Sequence, residues 1–305
     1  MRVAAIDIGT NSVLLTVAGS LPYQKLKAIY EAQTVTRLGR GTDRTNRISQ
    51  QSMSRTLSAV KKFRNIALRH GAERIWAIGT SALREASNRE QFISRVKKET
   101  GLTIEIVSGK TEAVLTFKGG LLNLEVDSPK IALIDIGGGS TEVSLVINGR
   151  LRKSTSLNLG SVRLTEQFFP RDVIIDNRVE RLNDFLGDKW SKLSNWNFKN
   201  SILVGTAGTI TTLASLDLKL KKYDSEKIHR HLLTRARIQQ LYQKLSSMNL
   251  PLRKKLLKIE PKRADVIVAG CSILLSFMQF FKFERIVVSD RGLRWGLIRH
   301  KLGLN

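Results

Sequence analysis

Two stretches of the chain carry the same order of apolar and polar positions. Residues 3–17 read VAAIDIGTNSVLLTV and residues 131–147 read IALIDIGGGSTEVSLVI. In each, an apolar run meets Asp-Ile-Gly, then small polar residues, then a second apolar run. Short apolar runs flanking a glycine turn predict strand, turn, strand. The two aspartates, Asp7 and Asp135, stand 128 residues apart. That period is too long for a solenoid and fits two related domains, each opening with the same hairpin.

Strand-to-helix units follow each hairpin. RIWAIGTSALREASN (74–88) predicts a strand, a Thr80-Ser81 cap and a helix, and IEIVSGKTEAVLTFKGG (104–120) repeats that form. ILVGTAGTITTLASL (202–216) and RIVVSDRGLRWGLI (285–298) each predict a strand, a turn and a helix. Helical spacing of apolar positions predicts amphipathic helices over 49–70 and 235–258, both with basic outer faces. Residues 152–188 have no clear pattern. Alternating strands and helices give an α/β fold class.

Length supports this division, since 305 residues suggest two domains. The apolar stretch 266–281 is 16 residues long, short of the roughly 20 needed to span a bilayer. It therefore reads as a buried helix, and Cys271 within it as a small core residue. With one cysteine a disulfide framework is excluded. No secretory signal is visible at the start, so a cytoplasmic protein without a membrane partner is expected. Charge adds more. The formal net charge is +25, with 20 basic against 7 acidic residues in 201–305. The densest run holds Arg253, Lys254, Lys255, Lys258, Lys262 and Arg263. Such a surplus steers polyanions toward the surface, whether nucleic acid or a polyphosphate chain, or it simply keeps the protein soluble.

Candidate chemistry gathers at the two hairpins. Glycine lets a backbone approach a ligand closely, turn N–H groups can point at phosphate, and an adjacent Asp can hold Mg²⁺. Ser12, Ser140 and Thr141 add hydroxyls, and Glu142 adds a carboxylate. One such hairpin is most simply a turn with an Asp. Two favour a phosphate clamp. Glu112 falls in a first helical turn, where the dipole alone accounts for an acid, or where it serves as general base. Arg84 can grip phosphate or pair with a neighbouring acid. The turn at Gly208-Thr209 caps its helix or binds an anion. His70, His229, His231 and His300 are too scattered for a zinc site.

These residues sit in nine blocks that resemble, in order, those of the exopolyphosphatase / guanosine pentaphosphate phosphohydrolase (Ppx/GppA) family: AAIDIGTNS, TRLGRGTD, TSALREASN, IVSGKTEA, LIDIGGGSTEVSLV, SLNLGSVRLTEQF, VGTAGTITTLAS, RADVIVAGCSIL and VVSDRGLRWGL. The resemblance is to the short, two-domain members. It implies the fold of the sugar kinase and actin-like ATPase superfamily, with two ribonuclease H-like domains facing an interdomain cleft. Their expected bounds are 1–124, with 291–305 packed back on it, and 125–290. It implies a hydrolase that releases orthophosphate from a phosphoanhydride chain with Mg²⁺ or another divalent cation. By motif position Glu112 matches the catalytic base, and Asp135 and Glu142 match acids near metal and water. Asp7 is a further expected metal ligand. Thr10, Asn11 and Ser12 match the first phosphate loop, and Gly137, Gly138, Gly139, Ser140 and Thr141 the second. Gly208 and Thr209 are assigned to phosphate as well, and Arg84 to the cleft.

The chain departs from the family at three places. Two adjacent glutamates are usual where Thr111-Glu112 stands. That loss, with Lys110 alongside, makes the expected site less negative. A Gly-Leu-Arg-Glu-Gly segment reads Gly292-Leu-Arg-Trp295-Gly, and a His-Gly pair reads His229-Arg230. The +25 charge favours an exopolyphosphatase acting on inorganic polyphosphate over a guanosine pentaphosphate hydrolase. A catalytically weak polyanion binder and a small-molecule kinase are the further alternatives, disfavoured by the acids at 112, 135 and 142 and by the match at Arg84. A homodimer is compatible with all of them.

Overall fold

The run 3–17 folds as its spacing predicts: β1 (Arg2–Ile8) and β2 (Ser12–Ser20) form an antiparallel hairpin. The structure, a computed structural model, describes residues 1–20, 26–124, 126, 128–172 and 174–304. β3 (Leu26–Val35) pairs antiparallel with β2, while β4 (Arg74–Gly79) and β5 (Ile104–Ile106) add in parallel on the other side. The sheet order is β3-β2-β1-β4-β5. β1 is central and almost wholly buried, which explains its unbroken apolar run. Ala4, Ile6 and Ile8 join Met53, Leu57, Val60 and Phe63 of the Gln50–Arg69 helix in one core. On the opposite face the Leu293–Lys301 helix packs against β1 and β2. Its Trp295 indole donates to Glu31 Oε1 at 3.2 Å, and so does the Thr16 hydroxyl at 2.9 Å. Trp295 is thus a core residue of this unit. Gly296 touches the backbone of the Gly109–Gly120 helix so closely that any Cβ would collide with the Leu115 carbonyl.

The second hairpin repeats the plan. β6 (Lys130–Ile136), β7 (Thr141–Ile147) and β8 (Arg150–Leu157) form an antiparallel meander. β9 (Ile202–Thr206) lies parallel to β6, and β11 (Arg285–Val288) parallel to β9. β10 (Leu232–Thr234) closes the edge in the order β10-β11-β9-β6-β7-β8. The apolar stretch 266–281 becomes the buried Ile267–Phe280 helix of this core. Trp190 lies edge-on to Phe277 there, with ring centroids 5.2 Å apart. The chain divides into two compact units, Met1–Gly119 with Leu293–Asn305, and Gly120–Gly292.

Three expectations are corrected. The helix expected through residue 88 stops at Glu85 and a new one runs over Arg89–Thr100. Asn88 is responsible: its amide accepts from Ile48 N and donates to Ile48 O, both at 2.9 Å. Thr80 stands at the N-cap of the Ser81–Glu85 helix, but its hydroxyl makes no capping bond. The single helix expected over 235–258 is two, Arg235–Ser246 and Leu250–Leu256, because Asn249 caps the second through Leu252 N. The unassigned 152–188 region contains the end of β8, a Ser161–Phe168 helix and the start of the Asp176–Ser191 helix.

Candidate active site

In the first unit the fold joins two residues 28 positions apart. Glu112 is 7% exposed in the first turn of the Gly109–Gly120 helix. Its Oε2 accepts from Arg84 Nη1 at 2.9 Å, and the same nitrogen donates to the Val107 carbonyl at 3.1 Å. Burial makes an unpaired carboxylate costly, and the guanidinium offsets that cost. Ser108 caps this helix by accepting from Thr111 N at 3.0 Å, and the two hydroxyls lie 2.9 Å apart. Thr111 therefore takes the place where a capping box ordinarily has Glu or Gln. Successive helical residues do not face each other, so the departure at 111 alters the cap.

The two Asp-Gly turns are built alike. Gly9 N donates to Ser12 O and Gly137 N to Ser140 O, each at 3.0 Å. Among the described residues, the N–H groups of Thr10, Asn11, Gly138 and Gly139 find no acceptor. Within each turn, two neighbouring N–H groups of this kind suit an anion. In the first turn the Asn11 carbonyl accepts from Thr36 N at 3.0 Å and Arg37 N at 2.8 Å. Around it the Asn11 amide atoms, Ser12 Oγ and Thr36 Oγ1 are buried without hydrogen-bond partners among the described residues. Thr36 belongs to the TRLGRGTD block, but nothing in its local pattern marks it.

In the second turn the carbonyls are occupied. Gly137 O accepts from Ser161 N at 3.0 Å, Gly138 O from Val162 N at 2.9 Å, and Gly139 O from Arg163 Nε at 2.9 Å. The loop thus caps the Ser161–Phe168 helix through its carbonyls, while the Gly138 and Gly139 N–H groups keep no acceptor among the described residues. Contact is tight enough that a Cβ on Gly160 would strike the Gly138 carbonyl. The Thr141 hydroxyl donates to Leu159 O and so is already engaged. Ser161 and Arg163, which hold this loop, were not singled out from sequence.

Asp135 and Glu142 are register partners across β6 and β7. Directly opposed side chains share a face, and two carboxylates there repel unless a cation intervenes. Ser156 Oγ donates to Glu142 Oε1 at 2.6 Å and fixes its orientation. Mg²⁺ takes one or two carboxylates and completes its shell with water and phosphate, so this pair fits such an ion. Asp7 faces Leu14 in the corresponding register of the first unit. Among the described residues no group of three or more His, Cys, Asp and Glu is gathered as a metal set.

Gly208 and Thr209 begin the Gly208–Asp217 helix. A Cβ on Gly208 would meet the Arg263 guanidinium, and Thr209 fills the space beside Gly270. Thr209 is a packing residue in this structure. Arg230 has φ +73°, the region glycine favours, and its Nε and Nη2 both donate to the Asn123 carbonyl, at 3.0 and 2.8 Å. The departure from His-Gly is thus a strained backbone held by a two-pronged hydrogen bond. Beside it, burial and then the Arg291 charge hold the His229 imidazole below its ordinary value.

A model of the Ppx/GppA phosphatase family matches residues 16–304. The chain belongs to this family. It shares the actin-like ATPase and sugar kinase superfamily fold. Exopolyphosphatase 2 of Mycobacterium tuberculosis is 33% identical over 317 residues, covering 97% of each chain. A bifunctional 3-dehydroquinate synthase/phosphatase of Fusobacterium nucleatum is 35% identical over 309 residues. That match covers 97% of this chain and 46% of the relative, so this chain spans less than half of that protein. Among solved structures, the Aquifex aeolicus family member aligns with a TM-score of 0.81 at 34% identity, over 99% and 97% of the two chains. An exopolyphosphatase from Cytophaga hutchinsonii aligns with a TM-score of 0.91 at 26% identity, over 100% and 99%. No helix among the described residues is long and apolar enough to cross a membrane.

Proposed function

We propose that the protein is an exopolyphosphatase that hydrolyses the terminal phosphoanhydride bond of inorganic polyphosphate. The buried Glu112–Arg84 pair carries this reading: it places a carboxylate against a guanidinium at a helix start, 2.9 Å apart. Glu112 takes the proton from an attacking water. Arg84 holds that carboxylate in place and adds positive charge for the phosphoryl oxygens. N–H groups of the Gly9–Ser12 and Gly137–Ser140 turns bind further phosphoryl oxygens. Phosphoryl transfer asks for positioning and charge neutralisation, which is what such groups provide. Asp135 and Glu142 would hold Mg²⁺, which when bound neutralises charge on the phosphates. The exopolyphosphatase relatives that align over almost their whole length support this substrate class. So does the +25 charge, which attracts a polyanion.

The test is Mg²⁺-dependent orthophosphate release from long-chain polyphosphate and from guanosine pentaphosphate in parallel. Glu112→Gln should lower release from polyphosphate by ~10²–10⁴, the usual worth of a general base. Release from the nucleotide alone would replace the substrate assignment, and an active Glu112→Gln would remove the base.

A further inference from the structure

A lysine-lined depression in the second unit lies outside every residue discussed so far. It has a volume of about 700 Å³ and is formed by residues 218–225 with Lys227. Lys219, Lys221, Lys222 and Lys227 line it, with Tyr223 and Asp224. Lys227 pairs with Asp224 at 3.3 Å. Lys219, Lys221 and Lys222 are exposed and make no ion pair or side-chain hydrogen bond among the described residues. Three neighbouring ammonium groups without counter-charges repel one another, a cost that an anion removes.

The segment is fixed in place. Leu220 N donates to Ser215 O at 3.0 Å and Lys219 N to Leu216 O at 3.1 Å, the two bonds of a Schellman ending. Its left-handed position, normally glycine, is Lys219 at φ +52°. The Tyr223 hydroxyl donates to Asp290. Asp224 caps the next turn by accepting from Lys227 N at 3.2 Å.

The Tyr223 anchor sets the location. Asp290 follows the carboxyl end of β11, Thr206 ends β9, and Asp135 lies near the carboxyl end of β6. These three strands are parallel neighbours, so their carboxyl ends share one edge of the sheet. At roughly 4.8 Å between strands, β6 and β11 are separated by about 10 Å. The lysine segment is therefore tethered to the sheet edge from which the Gly137–Ser140 turn emerges. Ligands of open α/β sheets bind outside carboxyl ends of this kind.

We infer that Lys219, Lys221 and Lys222 form a subsite for internal phosphates of an inorganic polyphosphate chain whose terminal phosphate occupies the Gly137–Ser140 turn. This rests on the exopolyphosphatase reading and extends it to substrate length. The lysine heads are point charges suited to phosphate oxygens, and the lining contains no Asn or Gln to read adenine, so plain phosphate is the ligand that suits it. A tripolyphosphate is too short to gain from the subsite, whereas a long chain spans it.

The test is the triple variant Lys219→Gln, Lys221→Gln, Lys222→Gln. With long-chain sodium polyphosphate its KM should rise at least tenfold, while kcat and KM for sodium tripolyphosphate stay unchanged. Binding of long-chain polyphosphate is measured separately in the Glu112→Gln background, where substrate survives. There the slope of log affinity against log salt should shrink by about 2, three phosphate contacts at ~0.7 each. Unchanged long-chain KM and an unchanged salt slope would overturn the subsite. So would a loss confined to a single-stranded oligonucleotide with polyphosphate binding intact. If the unmutated protein fails to hydrolyse polyphosphate, the exopolyphosphatase reading falls, and the binding slope still decides the subsite.

Discussion

Thr36 shows how much a single side chain can reveal that no spacing rule does. Its hydroxyl is sealed from water beside Asn11 and Ser12, and among the described residues no hydrogen bond satisfies it. A buried, unsatisfied polar group costs about 1–3 kcal/mol. Thr36→Val keeps the shape and removes that cost, so urea unfolding should show a stability gain of about 1 kcal/mol. A lowered midpoint would mean that the hydroxyl has a partner worth keeping. Glu112 was marked by its motif, yet its environment was not. Only the folded chain brings Arg84 to its carboxylate, from a helix that ends 24 residues before the Glu112 helix begins. Trp295 and Arg230 stand out in sequence as departures near a site. In the structure Trp295 is buried core and Arg230 secures the Asn123 carbonyl.

Among the elements, the Gly137–Ser140 turn and the Ser161–Phe168 helix act as one piece. Three carbonyls of the turn are consumed by that helix and its Arg163. Gly160 is the contact point, where backbone meets backbone. Gly160→Ala must push the turn away, and overpacking of this sort costs roughly 1–3 kcal/mol. Its effect on orthophosphate release should be larger than its effect on the thermal midpoint, because a 1 Å misplacement can cost ~10² in rate. Equal release from the variant and the parent would separate the turn from the chemistry. The Glu85–Arg89 break and the 246–250 break follow the same logic at lower stakes. In each, an asparagine binds backbone that a continuous helix would have left elsewhere.

Across the whole molecule, pH dependence has a traceable source in His229. Its ring faces the Asn123 carbonyl, Arg291, Arg230 and Glu226, with burial the largest influence. The folded value lies below the ordinary 6.5, so between the two the unfolded chain binds the proton and the folded chain does not. Stability from this group is complete above pH 6.5 and is lost as pH falls through the folded value. His229→Gln should flatten the stability profile below pH 6.5, as read by urea unfolding at a series of pH values. A profile as steep as the parent's would assign the acid sensitivity elsewhere. Asp217 contributes at lower pH. Burial pushes its carboxyl up, but bonds from Arg237 and His231 outweigh this and hold it low.

The repeated Asp-Ile-Gly pattern and the apolar runs were enough to give the α/β class, both hairpins and the buried 266–281 helix, and the resemblance of nine sequence blocks gave the family. Those features are local: an alternating run forms a strand, and a glycine between two runs forms a turn, whatever lies further along the chain. The Arg84–Glu112 pair, the unsatisfied Thr36 hydroxyl, the Asn88 clamp and the tether from Tyr223 to Asp290 were decided only by tertiary structure. Each joins positions that are distant in sequence or depends on burial. A hydrogen bond or a desolvation cost exists only once the packed core has excluded water and fixed both partners.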